Sequence, residues 1–214
     1  MSAKQITKVK ICGIRTPDAM TAALESGADF VGLVFHPASP RYVEIEVAAY
    51  LANYVPPSVM VVGLFSNPSE KTLEETLQNV RIDMIQLHGH ESPQNCAAIK
   101  ARFSKPIIKA LSASELDNAT AFAAVCDWLI IDAPAPAGAT YEGGHGNGFD
   151  WSVLKEFNPG KPWMLAGGLS PDNVEDAIRS THPMGVDVSS GVEITKGIKD
   201  VGKIRAFIQA AKKA

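Results

Sequence analysis

The sequence is poor in cysteine, has no long apolar run and carries no excess of either charge. Cys12, Cys96 and Cys126 are the only three thiols in 214 residues. They are too few and too unevenly spaced for a disulfide framework, and no C-x-x-C motif offers a zinc site. No apolar run approaches the roughly 20 residues of a membrane span. Residues 1–8 lack the basic and hydrophobic regions of a secretory leader. A cytoplasmic protein without a membrane partner is expected. The 20 basic and 23 acidic residues leave a net charge of -3 and are scattered along the chain. Without a basic stripe there is no electrostatic footprint for nucleic acid.

What the chain does have is repetition of one pattern. Short apolar runs alternate with segments of helical period, and eight such units span residues 1–214 with no shift in composition. The strands are expected at residues 9–14, 30–35, 59–65, 84–87, 106–111, 128–132, 162–166 and 185–188. Each is nearly continuously apolar, as a parallel strand covered on both faces must be. Thr16-Pro17, Asn67-Pro68, Ser92-Pro93 and Ser170-Pro171 place a capping side chain before a proline suited to a first helical turn. Helical segments are expected at 70–80, 115–124 and 174–178, with a closing helix at 201–211. The fold class is therefore α/β, one (β/α)8 TIM barrel whose active site lies at the C-terminal face of the strands.

That face gathers the ends of distant strands. Cys12 ends the first strand just before Gly13, where a thiolate can take a carbon-bound proton; Lys10, on the same strand face, favours that thiolate if it lies near. The bland reading of Cys12 is an inert buried thiol. Asp132 ends the apolar run 128–131, so it is either ionised and paired or raised in pKa until it can donate a proton. Asp187 is likewise an acid among apolar strand residues, or else a cap on a backbone amide. Arg41 suits a bidentate clamp on a carboxylate, or else is a solvated loop charge.

Gly167 and Gly168 follow the seventh strand, and Ser189, Ser190 and Gly191 follow the eighth. Small residues there let backbone N–H groups approach an anion, and this end of a barrel is where phosphate binds. A phosphorylated small-molecule substrate follows. The one long irregular stretch, residues 133–148, begins directly after Asp132. It is a lid or a tolerated surface insertion.

Taken together, Lys10-Ile11-Cys12-Gly13-Ile14, Gly32-Leu33-Val34-Phe35 with Ser39-Pro40-Arg41-Tyr42, Gln86-Leu87-His88-Gly89, Gly148-Phe149-Asp150-Trp151 with Gly167-Gly168-Leu169, and the run from Val186 to Glu193 resemble the phosphoribosylanthranilate isomerase family. The likeness runs through essentially the whole chain. It implies an Amadori rearrangement in tryptophan biosynthesis by general acid–base catalysis, with Cys12 as base and Asp132 as acid. It further implies that Arg41 and Asp187 engage the anthranilate, and that neither metal nor other cofactor is needed, because the substrate's own nitrogen is the electron sink. His88 is expected to hydrogen-bond in the substrate site, and the protein to act as a monomer or homodimer. The loop departs from the family's usual Gly-Gly-Thr-Gly or Gly-Gly-Ser-Gly, reading Gly143-Gly144-His145-Gly146-Asn147-Gly148.

Three other readings compete. Lys109, near the end of the fifth strand, is placed for a Schiff-base aldolase. His88, His90 and Glu91 crowd one strand end, as a metal-dependent epimerase would have them. A non-catalytic sugar-phosphate binder would keep Gly167, Gly168 and Ser190 while needing neither Cys12 nor Asp132.

Overall fold

The computed structural model of the protein describes residues 6–134, 146 and 148–214. Eight strands, β1 (Lys8–Cys12), β2 (Phe30–Val34), β3 (Met60–Phe65), β4 (Met84–Leu87), β5 (Ile107–Ser112), β6 (Trp128–Asp132), β7 (Trp163–Leu165) and β8 (Gly185–Val188), follow one another around a closed barrel. Every neighbouring pair is parallel, and Lys8 to Ile11 of β1 pair with Gly185 to Val188 of β8 to close it. All eight expected strands form, β4, β6 and β8 with the expected ends and the others with ends displaced by at most two residues.

Alternation along the strands sorts the side chains into two cores. Val9, Ile11, Val31, Leu33, Ile85, Leu87, Leu129 and Ile131 face outward into a layer shared with the helices. Phe30, Val62, Met84, Ile108, Ile130 and Met164 face inward and fill the barrel. Fully burying each such side chain contributes about 1.5–3 kcal/mol, so a one-residue slip of register would turn both cores inside out.

Among the described residues, seven α-helices cover the outside: α1 (Pro17–Glu25), α2 (Ile45–Ala52), α3 (Glu70–Asn79), α4 (Pro93–Phe103), α5 (Ala119–Ala123), α6 (Val174–Thr181) and α7 (Val201–Lys213). Thr16 and Ser92 cap α1 and α4 as their sequences predict, accepting from Ala19 N–H and Asn95 N–H. The other two expected starts differ. Asn67 adopts a left-handed φ of 46° before Pro68, and Ser69 caps α3 instead. At α6 the helix begins at Val174 rather than after Ser170, because Asn173 spends its side chain on Ser170 N–H and Gly168 O. Between β6 and β7 the described residues form a 3-10 turn, Trp151–Leu154, where the repeat predicts a helix, and Pro159, Gly160 and Pro162 break the chain before β7. A short hairpin of β9 (Glu193–Thr195) and β10 (Ile198–Lys199), which the apolar pattern does not predict, follows β8.

Most of the expected lid or insertion, residues 133–148, lies outside the described residues. Among those that are described, no helix is long and apolar enough to cross a membrane.

Candidate active site

One cavity opens at the carboxyl ends of the strands, and Cys12, Arg41, His88, Asp132, Asp187, Gly167, Gly168, Ser189 and Ser190 all line it. Strand parity explains the convergence. Residues 10 and 12 of β1, 86 of β4, 132 of β6 and 187 of β8 lie on the inward faces of their strands. Cys12 sits against Gly32 on β2, where an added Cβ would stand 3.0 Å from its sulfur. The glycine is what leaves room for the thiol.

Beneath Cys12 lies a buried ion pair, Lys10 Nζ to Asp187 Oδ1 at 2.9 Å, with Lys10 fully shielded from solvent. Asp187 is thus neither an amide cap nor a free carboxylate. Burial alone would lower the Lys10 ammonium, but its pairing with the Asp187 carboxylate, with the Cys12 sulfur beside it, outweighs this and holds the ammonium above its ordinary value. Burial pushes the Cys12 thiol up, opposed first by Lys10, with Asp187 adding to the rise and Lys199 opposing it. The resting sulfur is therefore a thiol with two cations nearby.

Across the cavity, burial pushes the Asp132 carboxyl up to about 7, against the pull of the Ala133 N–H that its Oδ1 accepts at 2.8 Å. Of the two alternatives that the sequence leaves for Asp132, the raised one holds. His88 Nε2 stands 3.5 Å from Asp132 Oδ2, and Gln86 Nε2 lies 3.4 Å from His88 Nδ1.

Arg41 is no solvated charge. It is 4% exposed and grips Glu193 bidentately, Nε to Oε1 at 2.7 Å and Nη2 to Oε2 at 2.9 Å. Glu193 also holds Lys199 at 2.8 Å, and Lys199 donates to the backbone oxygen and hydroxyl of Ser189. Burial lowers the Lys199 ammonium despite Glu193, whereas the bonds from Arg41 and Lys199 hold the Glu193 carboxyl below its usual range against burial. Sequence reasoning assigns no role to Glu193, Lys199 or Gln86. The one usable signal is Gly197, φ 82°, between two short alternating runs, which marks the hairpin that folds Lys199 back.

The expected anion loops meet at the cavity. Gly167 and Gly168 both have positive φ, 82° and 66°, a backbone shape that turns successive N–H groups to one side. Asn173 ties this loop by bonding Ser170 N–H and Gly168 O. Gly191 does not line the cavity; it packs on Leu169 O, where a Cβ would overlap the oxygen, and so joins the two loops. Ser189 turns its hydroxyl onto Cys12 O at 3.1 Å.

Two competing readings are corrected by side-chain direction. Lys109 points outward from β5, 2% exposed, and donates to Gly89 O at 2.6 Å and Glu91 Oε2 at 2.9 Å, away from the cavity. A Schiff base there has no access to substrate. Glu91 is bound to Lys109 and to the Asn67 and Gly89 N–H groups. His88, His90 and Glu91 accordingly do not converge, and no three described His, Cys, Asp or Glu side chains are grouped to hold a metal.

A parallel eight-stranded barrel with a thiol and a raised carboxyl in one cavity beside two small-residue loops fits the class of sugar-phosphate isomerases. Comparison with known proteins narrows this class. Residues 9–210 match the family model described as N-(5'-phosphoribosyl)anthranilate (PRA) isomerase. A Paramagnetospirillum magneticum protein of that name is 51% identical over 208 residues, covering 96% of this chain and 97% of that one. The crystal structure of phosphoribosyl anthranilate isomerase from Thermotoga maritima is 35% identical, superposes with a TM-score of 0.87, and is covered over 98% of this chain and 100% of that one. A structure of such an isomerase in complex with reduced 1-(o-carboxyphenylamino)-1-deoxyribulose 5-phosphate is 34% identical with a TM-score of 0.84 over 98% and 100% of the two chains. The chain belongs to the N-(5'-phosphoribosyl)anthranilate isomerase family. It is an isomerase of tryptophan biosynthesis that converts phosphoribosylanthranilate to the carboxyphenylamino-deoxyribulose phosphate by an Amadori rearrangement.

Proposed function

We propose that Asp132 is the general acid and Cys12 the general base of this rearrangement. The observation that carries the reading is the pair itself: a carboxyl raised to about 7 and a thiol with Lys10 and Lys199 nearby, both lining one cavity. Asp132 gives its proton to the furanose ring oxygen as the C1–O bond breaks and the nitrogen lone pair forms C=N. The cation so created joins Lys10 and Lys199 in favouring the Cys12 thiolate, the thiol proton passing to solvent at the mouth of the cavity. The thiolate removes the proton on C2, and that electron pair flows toward nitrogen to give the enol, which becomes the ketone. Each positioned group of this kind contributes about 10²–10⁴-fold.

Gly167, Gly168 and Ser190 are the proposed grip on the phosphate, with Ser189 and Gly191 shaping the loop beside it. Arg41 is proposed to meet the anthranilate carboxylate while Glu193 fixes its guanidinium plane, with Asp187 and His88 completing the walls. The same reading has the enzyme acting in the cytoplasm on a diffusible substrate, as a monomer or homodimer, which light scattering distinguishes.

The test is turnover and binding in two variants. Cys12→Ala and Asp132→Asn are each expected to bind the reduced product analogue while turning over at least about 10²-fold more slowly. Wild-type turnover in either variant would remove that residue from its role.

A further inference from the structure

Gln86 is a polar side chain in an apolar place. It is fully buried on the inward face of β4, with Leu64 of β3 and Ile108 of β5 as its register partners, and it lines the active-site cavity. Its two amide ends differ. Nε2 lies 3.4 Å from His88 Nδ1, whereas Oε1 has no hydrogen-bond partner. Only one other buried side-chain atom among the described residues, Trp151 Nε1, shares that state. An orphaned buried acceptor costs roughly as much as the hydrogen bond it lacks, and folded proteins rarely keep one without a use for it. Leu64 and Ile108 beside it have no side-chain donor to offer. Gln86 is among the residues that line the cavity in which the substrate rearranges.

We propose that Gln86 is a substrate-positioning residue: its amide N–H sets the His88 ring toward Asp132, and its Oε1 accepts a hydrogen bond from an O–H or N–H donor of the bound substrate. This deepens the acid–base assignment above and rests on it. The first half follows from the His88 tautomer. If Gln86 Nε2 donates, His88 Nδ1 is the acceptor and the ring proton resides on Nε2, the nitrogen that faces Asp132 Oδ2 at 3.5 Å. An N–H in that position stabilises the carboxylate that remains once Asp132 has given its proton away. The second half follows from chemistry: an amide oxygen only accepts, and the substrate brings both pentose hydroxyls and an amine N–H.

Two variants separate the halves. Gln86→Leu removes both amide ends at similar volume; Gln86→Glu keeps an acceptor and removes the donor. Affinity for the reduced product analogue is compared with that for its 2-deoxy counterpart and for one carrying oxygen in place of the amine N–H. The wild-type enzyme is expected to lose about 10-fold in affinity for whichever analogue lacks the partner of Oε1, the size of one buried hydrogen bond. Gln86→Leu is expected to lose less than about 2-fold on the same change, and Gln86→Glu to keep the discrimination. Equal losses in wild type and Gln86→Leu for both analogues would overturn the substrate contact. In the pH–rate profile, Gln86→Leu and Gln86→Glu are both expected to move the alkaline limb set by Asp132. An unmoved limb in either folded variant would overturn the action through His88; if the leucine variant does not fold, Gln86→Met, which also lacks both amide ends, takes its place in the affinity comparison and the glutamate variant decides the pH–rate profile. Failure of the underlying assignment reads differently: Asp132→Asn would then retain turnover, whatever the Gln86 variants do.

Discussion

Lys10 and Lys109 each sit within a buried strand, each holds a carboxylate at 2.9 Å, and each is almost wholly shielded from solvent. Their flanking residues are alike, Val9 and Ile11 on one side and Ile108 and Ala110 on the other. Strand parity separates them. Lys10 faces the barrel axis, beneath Cys12 and beside Asp187, where its charge bears on the Cys12 thiol. Lys109 faces the helical layer, where it ties the rim carbonyl of Gly89 to Glu91. A buried lysine in a barrel strand is thus a chemical group on one face and a structural tie on the other, and composition alone cannot tell them apart. The sharpest way to break this contrast is to remove both charges in turn. Lys10→Met and Lys109→Met are each expected to cost about 3–5 kcal/mol of stability, because each leaves a buried carboxylate without its cation. Only Lys10→Met is expected to lower kcat per folded molecule, by about 10-fold or more, as the thiolate loses its first cation. Chemical denaturation and active-site titration measure the two effects, and an equal loss of kcat in Lys109→Met would abolish the distinction.

The interior also differs from the shell in how its stability answers to pH. The folded protein raises Asp132 to about 7, above the roughly 3.9 of an unfolded aspartate. Its proton is held more tightly in the folded state, so the stability this gives is fully present below the unfolded pKa and is lost as pH rises through about 7. The loss is a few kcal/mol at most, since each tenfold difference in proton affinity between the two states is worth about 1.4 kcal/mol. Asparagine does not titrate. Relative to wild type, Asp132→Asn is therefore expected to gain stability between pH 5 and pH 8, while losing turnover at both. A stability difference that stays flat over that range would mean that Asp132 is not raised, and the acid assignment would lose its main support.

The barrel was legible in the sequence because strands covered on both faces must be apolar throughout, and eight such runs admit few other arrangements. That Cys12 and Asp132 line one cavity was legible for the same reason: each closes an apolar run, and in a barrel all such ends meet. The helix starts were less so. Asn67-Pro68 and Ser170-Pro171 carry the composition of a cap, but Asn67 turned left-handed and Asn173 was drawn into the anion loop. The charge network behind Arg41 was not legible. Glu193 lies 152 residues from Arg41, and the segment from Glu193 to Lys199 reads as a solvated, charged surface until the hairpin folds it inward. A bidentate arginine was expected, but its first carboxylate is the protein's own.

Ser189 and Ser190 give the finest version of the contrast between a group that meets the ligand and one that holds the wall. Both follow β8, and the sequence alone offers both as phosphate-binding residues. The Ser189 hydroxyl is already occupied, donating to Cys12 O at 3.1 Å and accepting from Lys199 Nζ at 3.1 Å, so it seams β8 to β1 behind the thiol. Ser190 lines the cavity, with Gly146 close enough that a Cβ there would stand 3.5 Å from its hydroxyl. Ser189→Ala is therefore expected to cost about 1 kcal/mol, roughly 2–4 °C in Tm for a chain of this size, with KM nearly unchanged. Ser190→Ala is expected to leave Tm in place and raise KM by about 5–10-fold, the loss of one hydrogen bond to a charged ligand. If Ser189→Ala raises KM as far as Ser190→Ala does, its hydroxyl reaches the phosphate in the working enzyme, and the seam between β8 and β1 is part of the anion site rather than its support.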